Sequence, residues 1–322
     1  MQKFSLRDNL VAYIISMRWY GSFIAGMSGF AGIVFSGANP STTTQIAILG
    51  ILFIGWGVNQ VVNDYLGLEE DQHNAPKRPM VSGRLNIKFA LSLSAALFVV
   101  GLVITYFLNM EAISFYVIIF GLNIIYERAK RVPLLGNITF GLLIAPCVYY
   151  AAMCASGARF LPIVLDRKLA TLALLIWLIN FVLCFFSDFK DYEGDKKANI
   201  KTLVVLLGIE KAKYLGAFLI LIPFLCLYFV VKMGVIAKYP PDAYFILMRI
   251  TAFLCFLFAG VRFLKYPQGP ATYYSLKWVF VATIAFITML IGLVVPLLSM
   301  MLFVIDPFLI GLIFYLYGDY PV

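Results

Sequence analysis

Charged residues are scarce in this sequence. Only 13% of its 322 residues are Asp, Glu, Lys or Arg, against about 25% in an ordinary soluble domain. This shortage excludes a disordered chain and a nucleic-acid-binding domain. His73 is the only histidine, which argues against a zinc site of the usual kind. The five cysteines lie in or beside apolar segments without C-x-x-C spacing, so a disulfide-rich secreted module is excluded as well.

Hydrophobic residues, in contrast, are abundant in the sequence. They make up 62% of the chain, and the mean hydropathy is +0.93. A membrane-spanning helix needs about 20 mostly apolar residues. The segments predicted to span are 12–36, 43–63, 89–108, 112–126, 135–155, 169–187, 211–231, 243–264 and 275–298. A further apolar stretch, 301–317, follows Pro296 and is either a short tenth span or an interfacial tail.

The basic residues indicate how these spans are oriented. Six of the 25 Lys and Arg residues fall in the connections on one side: Arg159, Arg167, Lys168, Lys232, Lys238 and Arg249. The remaining 19, Lys3 among them, lie at the N-terminus or in connections on the opposite side. Basic residues concentrate on the cytoplasmic side of membrane proteins. The N-terminus is therefore predicted to be cytoplasmic, and the formal charge of +9 is mostly a consequence of topology.

Acidic residues form two short clusters on the same predicted side. The clusters are Asn63-Asp64-Tyr65-Leu66-Gly67-Leu68-Glu69-Glu70-Asp71 and Ser187-Asp188-Phe189-Lys190-Asp191-Tyr192-Glu193-Gly194-Asp195. When Asp71 is aligned with Asp195, Asp64 meets Asp188. Each cluster follows the second span of a four-span unit, which predicts an internal duplication with a site where the repeats meet. The predicted organisation is one domain over 1–322, with repeat 1 at about 10–127, repeat 2 at about 133–265 and C-terminal helices at about 275–317.

The chemistry of these clusters suits a divalent cation beside a diphosphate. Spacing i, i+3 and i+7 puts the carboxylates on one face if the helix continues, where they repel one another unless a cation lies among them. Oxygen ligands without Cys or His suit Mg²⁺. Basic residues next to the clusters can bind phosphate oxygens. The 29 Phe, 19 Tyr and 4 Trp can form an apolar chamber whose ring faces stabilise carbocations. An isoprenyl diphosphate fits both features.

Three motifs make the sequence resemble the UbiA superfamily of intramembrane prenyltransferases over nearly its whole length. The motifs are Asn63 to Asp71 continuing through Asn74-Ala75-Pro76-Lys77-Arg78-Pro79 to Ser82-Gly83; Tyr126 with Lys130-Arg131 and Asn137; and Asp188-x-x-Asp191-x-x-Gly194-Asp195 followed by Lys201-Thr202-Leu203. The resemblance implies about nine helices around a central cavity that opens toward the membrane. It also implies two Mg²⁺ ions bridged by the paired motifs and a polyprenyl diphosphate substrate.

One position departs from the family pattern. Most transferases of the superfamily carry N-x-x-x-D-x-x-x-D in the first motif, whereas the middle residue here is Gly67. Glycine has no ligand atom, so one metal contact is missing or comes from Glu69, Glu70 or water. A first motif of this form with an intact second motif resembles the branch of UbiA-type terpene cyclases.

Three functions follow from this pattern, in order of preference. The first is Mg²⁺-dependent ionisation of an isoprenyl diphosphate to an allylic carbocation, which then cyclises intramolecularly. The second is transfer of the prenyl group to an aromatic or other lipophilic acceptor, with Gly67 a tolerated substitution. The third and most remote is a lipid or small-molecule transporter, because the acidic residues lie at one membrane face and not near the midplane.

The predicted site follows from the motifs. The predicted metal-site residues are Asn63, Asp64, Asp71, Asp188, Asp191 and Asp195, and the five aspartates are also predicted to be catalytic. The predicted diphosphate contacts are Lys77, Arg78, Lys130, Arg131 and Lys201. Gly67 is the residue that distinguishes the branch. The predicted fold is an all-α polytopic membrane protein with about nine transmembrane helices in two four-helix repeats around a central cavity. Its predicted partners are the isoprenyl diphosphate, membrane lipid and a lipophilic acceptor, without nucleic acid, and its site motifs are predicted to face the cytoplasm.

Overall fold

The chain folds into helices joined by short turns. A computed structural model describes residues 5–237, 243–269 and 271–317; Lys3 and Lys238, which entered the charge count, lie outside them. These residues contain no strand. The helices are α1 (Leu6–Ser16), α2 (Trp19–Phe35), α3 (Thr42–Leu66), α4 (Leu68–Asn74), α5 (Ile87–Leu108), α6 (Ile113–Ala129), α7 (Leu135–Ile144), α8 (Pro146–Ser156), α9 (Phe160–Leu165), α10 (Arg167–Lys197), α11 (Leu203–Leu207), α12 (Ile209–Leu219), α13 (Leu221–Lys232), α14 (Ala243–Lys265), α15 (Ala271–Ile291) and α16 (Pro296–Leu316).

Nine helical segments of the described chain are long and apolar enough to cross a membrane. They are α3, α5, α6 together with the 3₁₀ turn Met110–Ala112 that precedes it, α7 with α8, α10, α12 with α13, α14, α15 and α16. The predicted class, an all-α polytopic membrane protein with about nine transmembrane helices, is confirmed. The set differs by one member, because α2 has only 17 residues whereas the stretch 301–317 belongs to a 21-residue helix. The division into two repeats stays a prediction.

Two predicted boundaries are wrong. The first predicted span, 12–36, is two helices that separate at Met17 and Arg18, where Arg18 has a left-handed backbone with φ 48°. The ninth predicted span, 275–298, ends at Ile291, and a new helix begins at Pro296. Both breaks lie inside continuous apolar runs, so hydropathy does not mark them. Proline at the first position of a helix is favourable, which explains the second break.

The helices form an inner and an outer group. In the most apolar stretch of α15, 83% of the residues are buried, against 17% for α5. Gly32 lets α2 approach α8 closely, because a Cβ at this position would overlap the carbonyl oxygen of Val148. Asp306 of α16 is buried and accepts a hydrogen bond from Thr288 Oγ1 of α15 at 3.1 Å. This bond ties the outer α16 to the enclosed α15.

Candidate active site

The two acidic motifs face each other across one polar cavity. The cavity lies where the carboxyl ends of α3, α6 and α10 meet, and its volume is about 160 Å³. Its charged lining residues are Glu70, Asp71, Glu127, Asp188, Asp191, Asp195, Arg18, Arg78, Lys130 and Lys190. Among these residues carboxylates outnumber basic side chains. The cavity can therefore accept further positive charge.

The first motif is bent at its middle residue. α3 ends at Leu66 and α4 begins at Leu68, so the predicted continuous helix face is interrupted at Gly67. Asn63 and Asp71 line the cavity. Asp64 is completely buried and does not line it; its carboxylate pairs with Arg18 and, at 3.3 Å, with Arg78.

The second motif lies on an unbroken helix. α10 runs from Arg167 to Lys197, so Asp188, Asp191 and Asp195 share the face that borders the cavity. The amide nitrogen of Asn137 donates to Asp188 Oδ2 at 3.2 Å. Lys190 Nζ lies 3.2 Å from Asp191 Oδ2. The aspartates predicted from the second motif therefore come together in one site.

A direct hydrogen bond connects the two motifs. Asn74 Nδ2, at the end of α4, donates to Asp195 Oδ1 on α10 at 3.0 Å. Gly194 makes this approach possible, because a Cβ on residue 194 would overlap the side-chain oxygen of Asn74. The relative position of the two acidic motifs thus depends on an asparagine and a glycine that themselves carry no charge.

The five predicted diphosphate contacts do not all reach the cavity. Arg78 and Lys130 line it, whereas Lys77 and Lys201 are exposed and lie outside its lining. Arg131 is half-exposed, also lies outside the lining, and pairs with Glu70 at 2.7 Å. The diphosphate roles of Lys77, Arg131 and Lys201 stay predictions.

Arg78 is held in its charged form by the acids around it. Burial alone would lower the pKa of Arg78, but Asp71, Asp64 and Asp191 outweigh this effect and raise it above its ordinary value. Its guanidinium pairs directly with Asp71. Arg78 therefore brings a permanent positive charge to the cavity.

Lys130 is held in the same way on the opposite side. Its ammonium lies 2.8 Å from Glu70 and 2.6 Å from Glu127. Burial would lower the pKa of Lys130, yet the two glutamates raise it. The side chain can therefore bind an anion in the cavity without losing its proton.

Three charged residues of the lining were not predicted from the sequence: Arg18, Glu127 and Lys190. Arg18 joins α2 to α3 by pairing with Asp64 and by donating to Gln60 Oε1 at 2.7 Å. A signal for it was present, since an arginine within an apolar segment is costly and commonly functional. Glu127 and Lys190 had no comparable signal, because Glu127 follows a motif residue and Lys190 lies between two motif positions, at a place that the pattern leaves open.

The oxygen atoms of this cavity fit Mg²⁺. Asn63 Oδ1, which belongs to the lining, and Asp64 Oδ2, which does not, are buried and have no hydrogen-bond partner among the described residues, although a buried polar atom normally has one. The acidic residues of the lining present carboxylate oxygens, the ligand atoms that hard cations such as Mg²⁺ prefer. Within the described ranges no group of three or more His, Cys, Asp or Glu side chains is arranged to hold a metal ion. The basic side chains of Arg18, Arg78 and Lys130 form ion pairs with the acids instead.

Aromatic side chains form the remaining wall of the cavity and lead away from it. They are Tyr20, Trp56, Tyr126, Phe140 and Phe280. Trp56 also borders an apolar cavity that is lined by residues of α2, α3, α6, α7 and α8. This second cavity shares wall residues, Gly55 among them, with a third cavity between α3, α5 and α6. The third cavity has a volume of about 190 Å³ and is lined by exposed apolar residues such as Ile46 and Val100. Two apolar cavities with shared walls, the first only about 20 Å³ in volume, thus lie between the polar site and the outer surface of the bundle.

The membrane-spanning fold and the paired acidic motifs define one class of protein: the chain belongs to the UbiA prenyltransferase family, whose sequence profile matches residues 23–281. A relative from Thermococcus kodakarensis, a digeranylgeranylglyceryl phosphate synthase, is 31% identical over 238 residues, which cover 72% of this chain and 83% of the relative. The predicted superfamily is confirmed. The terpene-cyclase branch is not confirmed, and the relative favours the transfer alternative.

Solved structures show the same fold. An apo UbiA homologue from Aeropyrum pernix has a TM-score of 0.72 at 18% identity, covering 87% of this chain and 98% of its own. A UbiA homologue from Archaeoglobus fulgidus bound to GPP and Mg²⁺ has a TM-score of 0.65 at 17% identity, covering 88% and 99%. The integral-membrane architecture is therefore that of the family.

Proposed function

We propose that this protein transfers a prenyl group from an isoprenyl diphosphate to a lipophilic acceptor in a Mg²⁺-dependent reaction. One observation carries the proposal: a single cavity is lined by both acidic motifs, by Arg78 and Lys130, and by an aromatic wall, and it adjoins apolar cavities through Trp56. Such a cavity suits a molecule with an anionic head and a long apolar tail. A membrane transporter would not need this concentration of carboxylates at one end.

The acceptor that we propose is a glycerol phosphate lipid with one prenyl chain and a free hydroxyl group. The product named for the relative from Thermococcus kodakarensis carries two geranylgeranyl groups on one glyceryl phosphate. Adding the second group to a singly prenylated glyceryl phosphate gives such a product. The donor in this proposal is geranylgeranyl diphosphate, whose tail would extend toward the two apolar cavities.

In this proposal the residues of the cavity have different roles in the reaction. When bound, Mg²⁺, proposed as two ions, would neutralise the charge of the diphosphate and make it a better leaving group. The residues that would hold the ions are Asn63, Asp64, Asp71, Asp188, Asp191 and Asp195. Arg78 and Lys130 bind diphosphate oxygens that the ions leave free. The rings of Tyr126 and Phe140, which line the cavity, would stabilise the positive charge that develops on the prenyl group as its bond to the diphosphate breaks. The diphosphate leaves with the electron pair of the broken bond, the acceptor hydroxyl oxygen bonds to the prenyl carbon, and the hydroxyl proton passes to the departing diphosphate.

The orientation of the site belongs to the same proposal. We place the cavity at the cytoplasmic face because 19 of the 25 basic residues accompany it on that side in the predicted topology. Water-soluble Mg²⁺ and the diphosphate head would then reach the site from the cytoplasm, while both apolar tails stay in the membrane.

The test is an incubation of purified protein in detergent micelles with geranylgeranyl diphosphate and Mg²⁺. One arm contains geranylgeranylglyceryl phosphate and the other contains no acceptor. We expect a doubly prenylated lipid by mass spectrometry in the first arm only, and none after chelation of the metal. An acceptor arm without this product, in a protein that still releases diphosphate, would contradict the proposed acceptor.

Cyclisation is the second candidate, and Gly67 is the observation that favours it. In a cyclase a double bond of the same prenyl chain captures the cation, and no acceptor is needed. A cyclic hydrocarbon or alcohol in the acceptor-free arm would establish cyclisation and reject transfer as the main activity.

A further inference from the structure

We propose that Glu127, on α6, supplies the metal-binding carboxylate that the first motif lacks at Gly67. The inference rests on the Mg²⁺-dependent function proposed above and deepens it by adding a ligand from outside both acidic motifs. Glu127 immediately follows Tyr126 at the carboxyl end of α6. The helix that carries it is separate from α3 and α4, which hold the first motif, and from α10, which holds the second.

The position of Glu127 relative to Gly67 is the first observation. A Cβ built on Gly67 would lie 3.2 Å from Glu127 Oε2. The carboxylate carbon of an aspartate is one bond beyond its Cβ, so an aspartate at position 67 would bring its carboxylate into contact with that of Glu127. The oxygen of Glu127 thus lies in the region where the family's middle aspartate would place its own.

The environment of Glu127 is the second observation. Its side chain is 9% exposed and lines the same cavity as Asn63, Asp71 and Asp191. Its ion-pair partner among the described residues is Lys130, whose ammonium also lies 3.3 Å from the Cβ position of Gly67. A cation therefore already occupies the place next to Gly67, and a divalent ion bound there would take the place of this ammonium group.

The two glutamates of the first motif fit this role less well. Glu69 is exposed and does not line the cavity. Glu70 lines it, but its carboxylate is shared between Lys130 and Arg131, at 2.8 and 2.7 Å. Glu127 has one basic partner where Glu70 has two, so less positive charge must be displaced for it to bind a metal.

The experiment exchanges the carboxylate between the two positions and measures metal binding directly. Mn²⁺, a paramagnetic substitute for Mg²⁺, is titrated into the purified wild type, Glu127→Gln, Gly67→Asp and the double variant Gly67→Asp/Glu127→Gln, and free Mn²⁺ is followed by electron paramagnetic resonance. We expect Glu127→Gln to raise the Kd for Mn²⁺ by about 10-fold or more. The double variant should return the Kd close to the wild-type value, which a purely structural role of Glu127 would not predict.

The matched control is Glu210→Gln, which removes an exposed carboxylate that pairs with Lys213 on its own helix and should leave the Kd unchanged. If Glu127→Gln unfolds, Glu127→Asp takes its place, because it keeps the charge but withdraws the carboxylate from the site. An unchanged Kd in a folded Glu127 variant, or a double variant that binds as weakly as Glu127→Gln, would overturn the inference. A wild type that binds no Mn²⁺ would instead reject the Mg²⁺-dependent function itself.

Discussion

Asp191 and Asp195 are two carboxylates of the second motif that border the cavity. Asp191 has Lys190 as its basic neighbour, and Asp195 accepts a hydrogen bond from the neutral side chain of Asn74. An amide in place of either carboxylate keeps the shape of the side chain but removes its charge. Substitution therefore tests metal binding with little disturbance of packing.

Asp191→Asn and Asp195→Asn should each reduce turnover on the order of 100-fold or more, because a charged ligand that stabilises the departing diphosphate is lost. The measurement is the initial rate at saturating Mg²⁺ and prenyl diphosphate, with size-exclusion chromatography to verify folding. Glu193→Gln is the control, since Glu193 is exposed in the same motif and its bond from Gln268 can persist to an amide oxygen. A wild-type rate in Asp191→Asn would show that Asp191 is no ligand.

Residues of the site differ in how far sequence could predict them. The aspartates of both motifs were predictable, since the same chemistry recurs at matching spacing. Arg18 stood out only as an arginine in an apolar segment. Its partner and the role of Glu127 were not predictable, because both arise from packing between distant segments: Arg18 pairs with a residue 46 positions away. A solitary charged residue carries no spacing from which its partner could be inferred.

The contact between α4 and α10 sets the distance between the two motifs. α4 has only seven residues and is too short to be stable by itself. Its carboxyl end is held by the bond from Asn74 to Asp195 beside Gly194. The first motif thus takes its position from the long helix that carries the second.

Gly194→Ala should destabilise the protein by about 1–3 kcal/mol, because the added methyl group overlaps Asn74 and forces α4 away from α10. The measurement is the thermal unfolding temperature in detergent together with the rate of diphosphate release. Combining Gly194→Ala with Asn74→Ala removes the overlap and should restore most of the stability. A single variant that unfolds at the wild-type temperature would show that α4 moves freely.

The helix ends show what hydropathy can and cannot predict. Long apolar helices such as α5 and α10 were found because their composition alone specifies them. The breaks at Arg18 and Pro296 were missed because apolar residues continue on both sides of each. The left-handed backbone at Arg18 occurs where its guanidinium reaches Asp64 and Gln60, so a tertiary contact accompanies this break.

At the scale of the whole molecule, two apolar cavities that share walls lie between the polar site and the outer surface. Gly55 borders both apolar cavities, and a Cβ at this position would meet no described atom within 4 Å. A large side chain at Gly55 would enter open space without disturbing the packing of α3. The role of the two apolar cavities is thus accessible to experiment.

Gly55→Phe should shift the preference toward shorter donors, because its ring fills the junction between the two apolar cavities. We expect the ratio of kcat/KM for geranylgeranyl over geranyl diphosphate to fall about tenfold or more. Gly121→Phe is the control, since its Cβ also meets no described atom within 4 Å but the residue lines neither apolar cavity. An unchanged ratio in Gly55→Phe would place the donor tail elsewhere.

The third cavity meets the outer surface between α3 and α5 at side chains such as Ile54 and Val100, which are 42% and 53% exposed. A tail that enters there comes from the lipid phase and not from water. The enzyme should therefore obey surface-dilution kinetics: at fixed total substrate, adding inert detergent should lower the rate as the mole fraction of substrate per micelle falls. A rate that follows only the bulk concentration would indicate entry from the aqueous side.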